Sequence, residues 1–448
     1  MHVTAGKGEE PRGKRCPAAF DDEEVGIHAR TALVTAVLSV LPLAACGGGS
    51  DDAGGAPTVN WYIGNEGWLE QVIEDCNAKA NGAYQLVAES LPTNPDQQRE
   101  QLVRRLAARD SSIDLIGMDV IWTGEFAKAG WITPFQRGEL ENVGSADKVL
   151  KGPFESAQFD GQQYGAPLNS NTRLLWYRKS VLGNRPVPKT WDELFDTAEA
   201  LDTKVQETGK RAESLIVFFN ALLESAGGSL IQPGEEEGTV ELDLEREPPV
   251  KALEVMQRFA TSSVAPPALS TSGEDDNRLA FETADSDSAF MINWPFVYPS
   301  VLEADPELAK DYGYAPYPRV LPNEPAQAPL GGYNLGIGTY TKDRGPALAA
   351  INCLTEPDQQ RTIATVGGQP SVLRELGDDP EILETLPFLP VMTQQLETAA
   401  PRPVTPQYND LSLAVRQVLH PMRDIEPEKS YDALKDLLQR ALDSQAVL

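Results

Sequence analysis

An α/β fold with parallel βαβ crossovers is the class this 448-residue sequence predicts, and three observations carry it. Short apolar runs alternate with stretches of helical spacing between Thr58 and Ala129. The run Ile113–Met118 is apolar apart from Asp114, which suits a parallel strand covered on both faces. The composition, 41% hydrophobic and 23% charged, is globular, and the length is enough for two substantial lobes.

The first feature along the chain is an export signal. Thr31–Ala45 is apolar, of signal-peptide length and too short to span a bilayer. His28 and Arg30 give it a thin basic flank, and it ends in Leu43-Ala44-Ala45-Cys46. Small residues before a cysteine fit a narrow peptidase pocket, and the thiol can then take a diacylglyceryl group, so this tetrapeptide resembles a bacterial lipobox. Residues 25–45 read as the signal peptide, Cys46 as the lipidation site, and 46–56, rich in Gly, Ser and Asp, as a flexible tether. Residues 1–24 place DDEE where a signal needs positive charge, and read as an over-extended start.

In the mature chain Asn60–Ile63 reads as a strand, 64–67 as a turn, and Trp68–Ala80 as a helix. Tyr84–Glu89 is a second strand, and Asp96–Arg109 is amphipathic with Leu102, Val103 and Leu106 on one face. Ile113–Met118 and helical Thr123–Ala129 complete the alternation. Further on, Trp191–Val205 and Val250–Ala260 have helical spacing, and polar Gly234–Pro249 leads into the second. Ser288–Asn293 is a strand, proline-rich Tyr312–Pro329 an extended crossing, and Gly331–Ile337 a strand. Ala347–Leu354, Gln359–Val366, Leu411–Leu419 and Tyr431–Leu442 read as helices.

Several functions are disfavoured at once. The 67 acidic residues against 38 basic ones give a formal charge of −29, which repels nucleic acid. The three histidines, His2, His28 and His420, leave one in the mature chain, too few for His-based triads or HExxH metal sites. Gly8–Lys14 has Walker spacing, but Arg15 stands where Ser or Thr would hold Mg²⁺, and the glycines of 331–338 follow no dinucleotide pattern. We expect no metal and no cofactor. Paired carboxylates for glycoside hydrolysis stay open in so acidic a chain. Cys16 and Cys46 are accounted for by removal and lipidation, which leaves Cys76 and Cys353 in an oxidising compartment, as a disulfide or as two buried thiols.

Polar and aromatic residues gather at strand ends. Asn65 and Glu66 follow the first strand, Asp119 the third, Asn169 and Asn171 lie in APLNSNTRLLWYRK, and Trp294 follows Ser288–Asn293. Ligands of open α/β sheets bind beyond the carboxyl ends of strands. Carboxylates and amides there could accept paired sugar hydroxyls, and a tryptophan face could cover a pyranose; each polar residue could instead cap the next helix.

The ordered set WYIGNEGWLEQV, GMDVIW, APLNSNTRLLWYRK, AFMINWPFVYP, APLGGYNLGIG and RPVTPQYNDLSLAVRQVL resembles the extracellular solute-binding proteins of ABC sugar importers, of the maltose/trehalose type and particularly the mycobacterial trehalose-recycling lipoproteins. The resemblance implies a two-lobed periplasmic-binding-protein-like clamp with three interlobe crossings and a central cleft. It would place 57–166 and 330–367 in lobe 1, and 167–329 and 368–448 in lobe 2. Both mature cysteines would then fall in lobe 1, where a disulfide staples a lobe without locking the hinge. It also implies ligand contacts at Asp119 and Asn171 from opposite lobes, an aromatic platform at Trp294 and Tyr298, and close backbone approach at Gly332 and Tyr333. Arg402 and Tyr408 would line the cleft before the C-terminal helices, with Glu224 beside the ESAGG turn. INWPFVY departs from the maltose pattern, its tryptophan displaced toward the strand.

The function so implied is capture of a disaccharide, trehalose above all, by lobe closure, and delivery to ABC permease subunits. The protein would be a monomer, lipid-anchored on the extracytoplasmic face of the cell membrane, with no catalytic residue. A secreted glycoside hydrolase and a structural surface lipoprotein are the competing readings. If Asp119 holds sugar, its loss should weaken binding and leave the stability of the empty protein unchanged.

Overall fold

The computed structural model describes residues 55–234, 239–283 and 285–444. The start, signal, lipidation at Cys46 and most of the tether expected in 1–54 lie outside these residues.

Alternation of apolar runs and helices gives β1 Thr58–Gly64, β2 Gln85–Leu91, β3 Leu115–Asp119, β4 Ala166–Thr172, β5 Leu174–Arg178, β6 Lys204–Gln206, β7 Ser288–Asn293, β8 Tyr312–Ala315 and β9 Leu330–Ile337. They assemble into a five-stranded sheet ordered β2-β1-β3-β9-β4 and a four-stranded sheet ordered β8-β5-β7-β6. The strand–helix–strand units make β1 parallel to both β2 and β3, as the crossover pattern predicts. β9 arrives from the other sheet and runs antiparallel to β3 and β4.

Both sheets are covered on both faces, because alternate residues of one strand enter different cores. Trp61 and Ile63 belong to one buried cluster and Tyr62 to the other; Leu174 and Trp176 divide from Leu175 in the same way. The molecule is thus an α/β protein of two lobes, each a sheet clad in helices. Cys76, on helix Leu69–Ala80, is bonded to Cys353, on helix Arg344–Leu354. The two helices pack together against the first sheet.

Several expectations need correction. Helix Trp191–Ala200 stops short of Val205: Asp202 takes a left-handed φ of 52°, and Lys204–Gln206 pairs with β7 instead. Helical spacing continues to Leu201, but strand pairing and β-branched Val205 override it. Within Gly234–Pro249, Val240–Leu242 pairs with Ile231–Pro233, and the next helix starts early, at Glu247, with proline in its first turn. Tyr312–Ala315 is an edge strand, so only 316–329 is the extended crossing. Helix Glu213–Ser225, which the sequence reading passed over, is buried on nearly every side, between helices Glu247–Thr261 and Tyr408–Leu419.

The placement of Asn171 changes as well. Residues 167–172, expected in the second lobe, belong to β4 in the five-stranded sheet, where Asn171 faces Gly331. Asp119 and Asn171 therefore come from the same sheet. The chain crosses to the other sheet only after Thr172, through the single residue Arg173.

Candidate site at the facing edges of the two sheets

The carboxyl ends of β1, β3 and β4 and the amino end of β9 share one edge of the first sheet. Register fixes this: Tyr333 pairs with Asp119 and Gly331 with Asn171. Asn65 and Glu66 follow β1 on the same edge. This is the rim where open sheets take ligands.

Along this rim the side chains form a connected series. The Tyr333 hydroxyl donates to Glu66 Oε1 at 3.2 Å, and the Tyr333 N–H donates to Asn169 Oδ1 at 2.8 Å. Burial raises the Glu66 carboxyl above its usual value, against the opposing Tyr333 hydrogen bond. Burial, and then the Glu66 and Asp119 charges, push the Tyr333 hydroxyl far up, so it stays a neutral donor. Asp119 Oδ1 accepts from Arg402 Nη2 at 2.8 Å and from the Ile121 N–H at 3.3 Å. The Asp119 side chain is 22% exposed, so it faces solvent while holding a buried partner.

Arg402 is the centre of a second group. It lies in the segment that leads from helix Leu389–Leu396 to helix Tyr408–Leu419, and its Nη1 donates to Glu213 Oε1 at 2.8 Å. Burial opposes its charge, but Asp119, Tyr408 and Glu213 outweigh that and drive its pKa up. Tyr408 also donates to Glu213 Oε1; Ser412 Oγ donates to Oε2 at 2.8 Å, and Arg416 Nη2 approaches it at 3.4 Å. Arg416 Nη1 reaches Asp96 at 2.8 Å, at the start of helix Pro95–Ala107. Glu213, Ser412, Arg416 and Asp96 were missed by sequence reasoning. Glu213 opens a helix that is apolar nearly all round, and a charged residue in such a run is the one signal that could have found it.

Across from this rim stands Trp294, after β7 of the second sheet, half-buried. A Cβ added at Gly331 would lie 2.7 Å from Trp294 Cζ3 and 2.5 Å from Asn171 Oδ1. Glycine at 331 therefore lets the indole edge reach the first sheet beside Asn171. Asn171 Nδ2 donates to Gln369 Oε1 at 2.7 Å.

The remaining candidates divide. Gly332 has φ +134°, and a Cβ there would lie 2.3 Å from the Asn169 carbonyl, so the glycine is required by the strand pairing itself. Tyr298 stacks on Trp176 at 6.2 Å and meets Phe388 edge-on at 5.6 Å, inside an aromatic core cluster. Glu224 sits near the last turn of the helix that Glu213 opens, some 16 Å along it at about 1.5 Å per residue. It is not brought to the Arg402 group.

A cavity of about 390 Å³ opens elsewhere, between Leu373, Leu376 and Leu389 under an Arg374–Glu397 pair. No aromatic side chain lines it, and none of the residues of the rim reaches it.

The model of the bacterial extracellular solute-binding protein family matches residues 65–361. A probable ABC transporter-binding protein of Deinococcus radiodurans is 25% identical over 349 residues, 74% of this chain and 80% of its own. The diacetylchitobiose binding protein DasA of Streptomyces coelicolor is 24% identical, over 73% of this chain and 78% of its own. Among solved structures, maltose-bound MalE3 of T. maritima superposes with a TM-score of 0.77 at 25% identity, covering 86% of this chain and 99% of that one.

Proposed function

We infer, because this chain belongs to the bacterial extracellular solute-binding proteins, that it captures a disaccharide, trehalose above all, and hands it to the permease subunits of an ABC importer. The observation that carries this reading is the meeting of Trp294 from one sheet with the Asn65–Glu66, Asp119, Asn171 and Tyr333 rim of the other. Such a mouth offers an aromatic face for the apolar side of a pyranose and acceptors for its hydroxyls. A hydrogen bond to a charged group contributes roughly 1.5–3 kcal/mol. The relatives support a sugar as ligand: one is named for diacetylchitobiose and one holds maltose.

The chemistry is binding alone. Lobes hinged at the crossings would close on the sugar, and ligand preference for the closed state would shift the population. Against hydrolysis by a carboxylate pair stands the use already made of the rim: Asp119 is bound to Arg402, and Glu66 accepts from the Tyr333 hydroxyl. A monomer anchored through Cys46 on the extracytoplasmic face would keep the sugar near its permease; Cys46→Ala should release the protein from the membrane fraction or leave it unprocessed, and an unmodified Cys46 thiol in the mature wild type would end that claim.

Titration calorimetry of the wild type with trehalose, maltose and diacetylchitobiose, with chromatography of the sugar afterwards, tests the function. We expect one of them to bind and return intact. Failure of all three to bind, or release of monosaccharide, would overturn it.

A further inference from the structure

We propose that Arg173 is a positioning residue, which sets the plane of the Trp294 ring from within the crossing between the sheets. The inference rests on the reading that Trp294 faces the ligand. Arg173 is the one residue between β4 and β5, so its backbone is the first crossing, and its carbonyl accepts from Gln395 Nε2 at 3.3 Å. Its side chain has no exposure at all. Nη1 donates to Glu207 Oε1 and Nη2 to Glu274 Oε1, each at 2.9 Å, and the guanidinium carbon lies 5.1 Å from the centroid of the Trp294 ring.

The Glu207 carboxylate and the Glu274 backbone are themselves held. Glu207 Oε1 also accepts the Thr208 N–H at 2.7 Å and the Thr208 hydroxyl at 2.9 Å. The Glu274 carbonyl accepts from Asn293 Nδ2 at 3.0 Å, and Asn293 Oδ1 accepts the Trp294 N–H at 2.9 Å. The backbone and the ring of Trp294 are thus tied to the same place, the start of helix Glu274–Glu282. On its other side the ring edge rests where Gly331 leaves room.

Stability alone is a poor reason for this arrangement. A fully buried ion pair contributes little net, and apolar residues of equal volume often replace one without loss. What an apolar replacement could not supply is a planar cation against an indole face, with its orientation set by a fork of two carboxylates. Glu207, Glu274 and Trp294 all attach to the second sheet, so the Arg173 side chain fixes the ring to that lobe at the residue where the chain first crosses.

Arg173→Lys keeps the charge and one ion pair but loses the fork and the planar contact. Two measurements read it: acrylamide quenching of the Trp294 emission in the ligand-free protein, taken as the difference from Trp294→Phe, and calorimetry with trehalose and maltose. We expect Trp294 to become severalfold more quenchable and sugar affinity to fall about tenfold. In a Trp294→Phe background, Arg173→Lys should weaken affinity by no more than about twofold further. If circular dichroism shows that Arg173→Lys does not fold, Glu274→Gln, which frees one arm of the fork at a partly exposed carboxylate, carries the same expectations. Unchanged quenching of Trp294, or affinity losses that multiply in the double variant, overturns the proposal. If Trp294→Phe alone binds sugar as the parent does, or the parent binds neither sugar, the ligand-facing reading of Trp294 falls instead, and quenching alone decides the Arg173 contact.

Discussion

Asp119 is partly open to solvent, yet it also holds Arg402 and accepts the Ile121 N–H. Asp119→Ala should therefore weaken sugar binding by roughly ten- to a hundredfold, the equivalent of 1.5–3 kcal/mol. It should also lower the melting temperature of the empty protein, because Arg402 loses one of its two carboxylates. The sequence alone suggested unchanged stability; calorimetry and a melting curve on this variant read both effects, and parental affinity would remove Asp119 from the site. Glu213 makes a sharper case. It serves Arg402, Arg416, Tyr408 and Ser412 together, so Glu213→Gln leaves two buried guanidinium groups short of charge. Breaking a buried pair from one side costs roughly 3–5 kcal/mol, and urea denaturation should show a loss of that order. A loss under about 1 kcal/mol would mean the group is far better solvated than its burial implies.

Helix Glu213–Ser225 carries opposite chemistry at its two ends. At the first, Glu213 is matched by arginines; near the last, Glu224 meets no cation among the described residues, and burial, with the Asp243 charge adding to it against a Ser229 hydrogen bond, raises its pKa to about 7. Folding therefore takes up a proton here between about pH 4.5 and 7. The stability this carboxyl contributes is complete below about pH 4.5 and is lost as pH rises through about 7. Glu224→Gln removes the titration, so the variant should be more stable than the parent at pH 8, with the gap closing by about pH 5. Melting curves across that range check it, and a gap that widens on acidification would contradict it. The same helix marks the limit of periodic reading: ESLIVFFNALLES is buried nearly all round, and a segment without a polar face gives no amphipathic signal. Strands β1, β3, β7 and β9 were legible because apolar runs bounded by turns need no partner to be recognised.

For the whole molecule, the bond between Cys76 and Cys353 closes a loop of 277 residues within the first sheet's helical cover. Cys353→Ser should lower stability by about 2–4 kcal/mol and leave sugar affinity intact, since neither cysteine is among the rim residues. Thiol labelling of denatured, unreduced wild type gives the independent check: reaction at Cys76 or Cys353 would deny the bond.

The sequence by itself determined the α/β class, the order of the main strands and helices, and the place of Glu66 and Asp119 at strand ends, while Tyr333 was implied by the family resemblance. Local spacing and strand ends are written in neighbouring residues, and a short window reads them. Only the tertiary structure decided that Asn171 shares a sheet with Asp119, and that Gly332 serves the strand pairing. It alone joined Glu213, Arg402 and Arg416 from distant segments, and set Arg173 beneath Trp294. Register across a sheet and pairing of buried charges depend on which distant segments meet. That choice is made by packing the two sheets and their helices, and no local pattern encodes it.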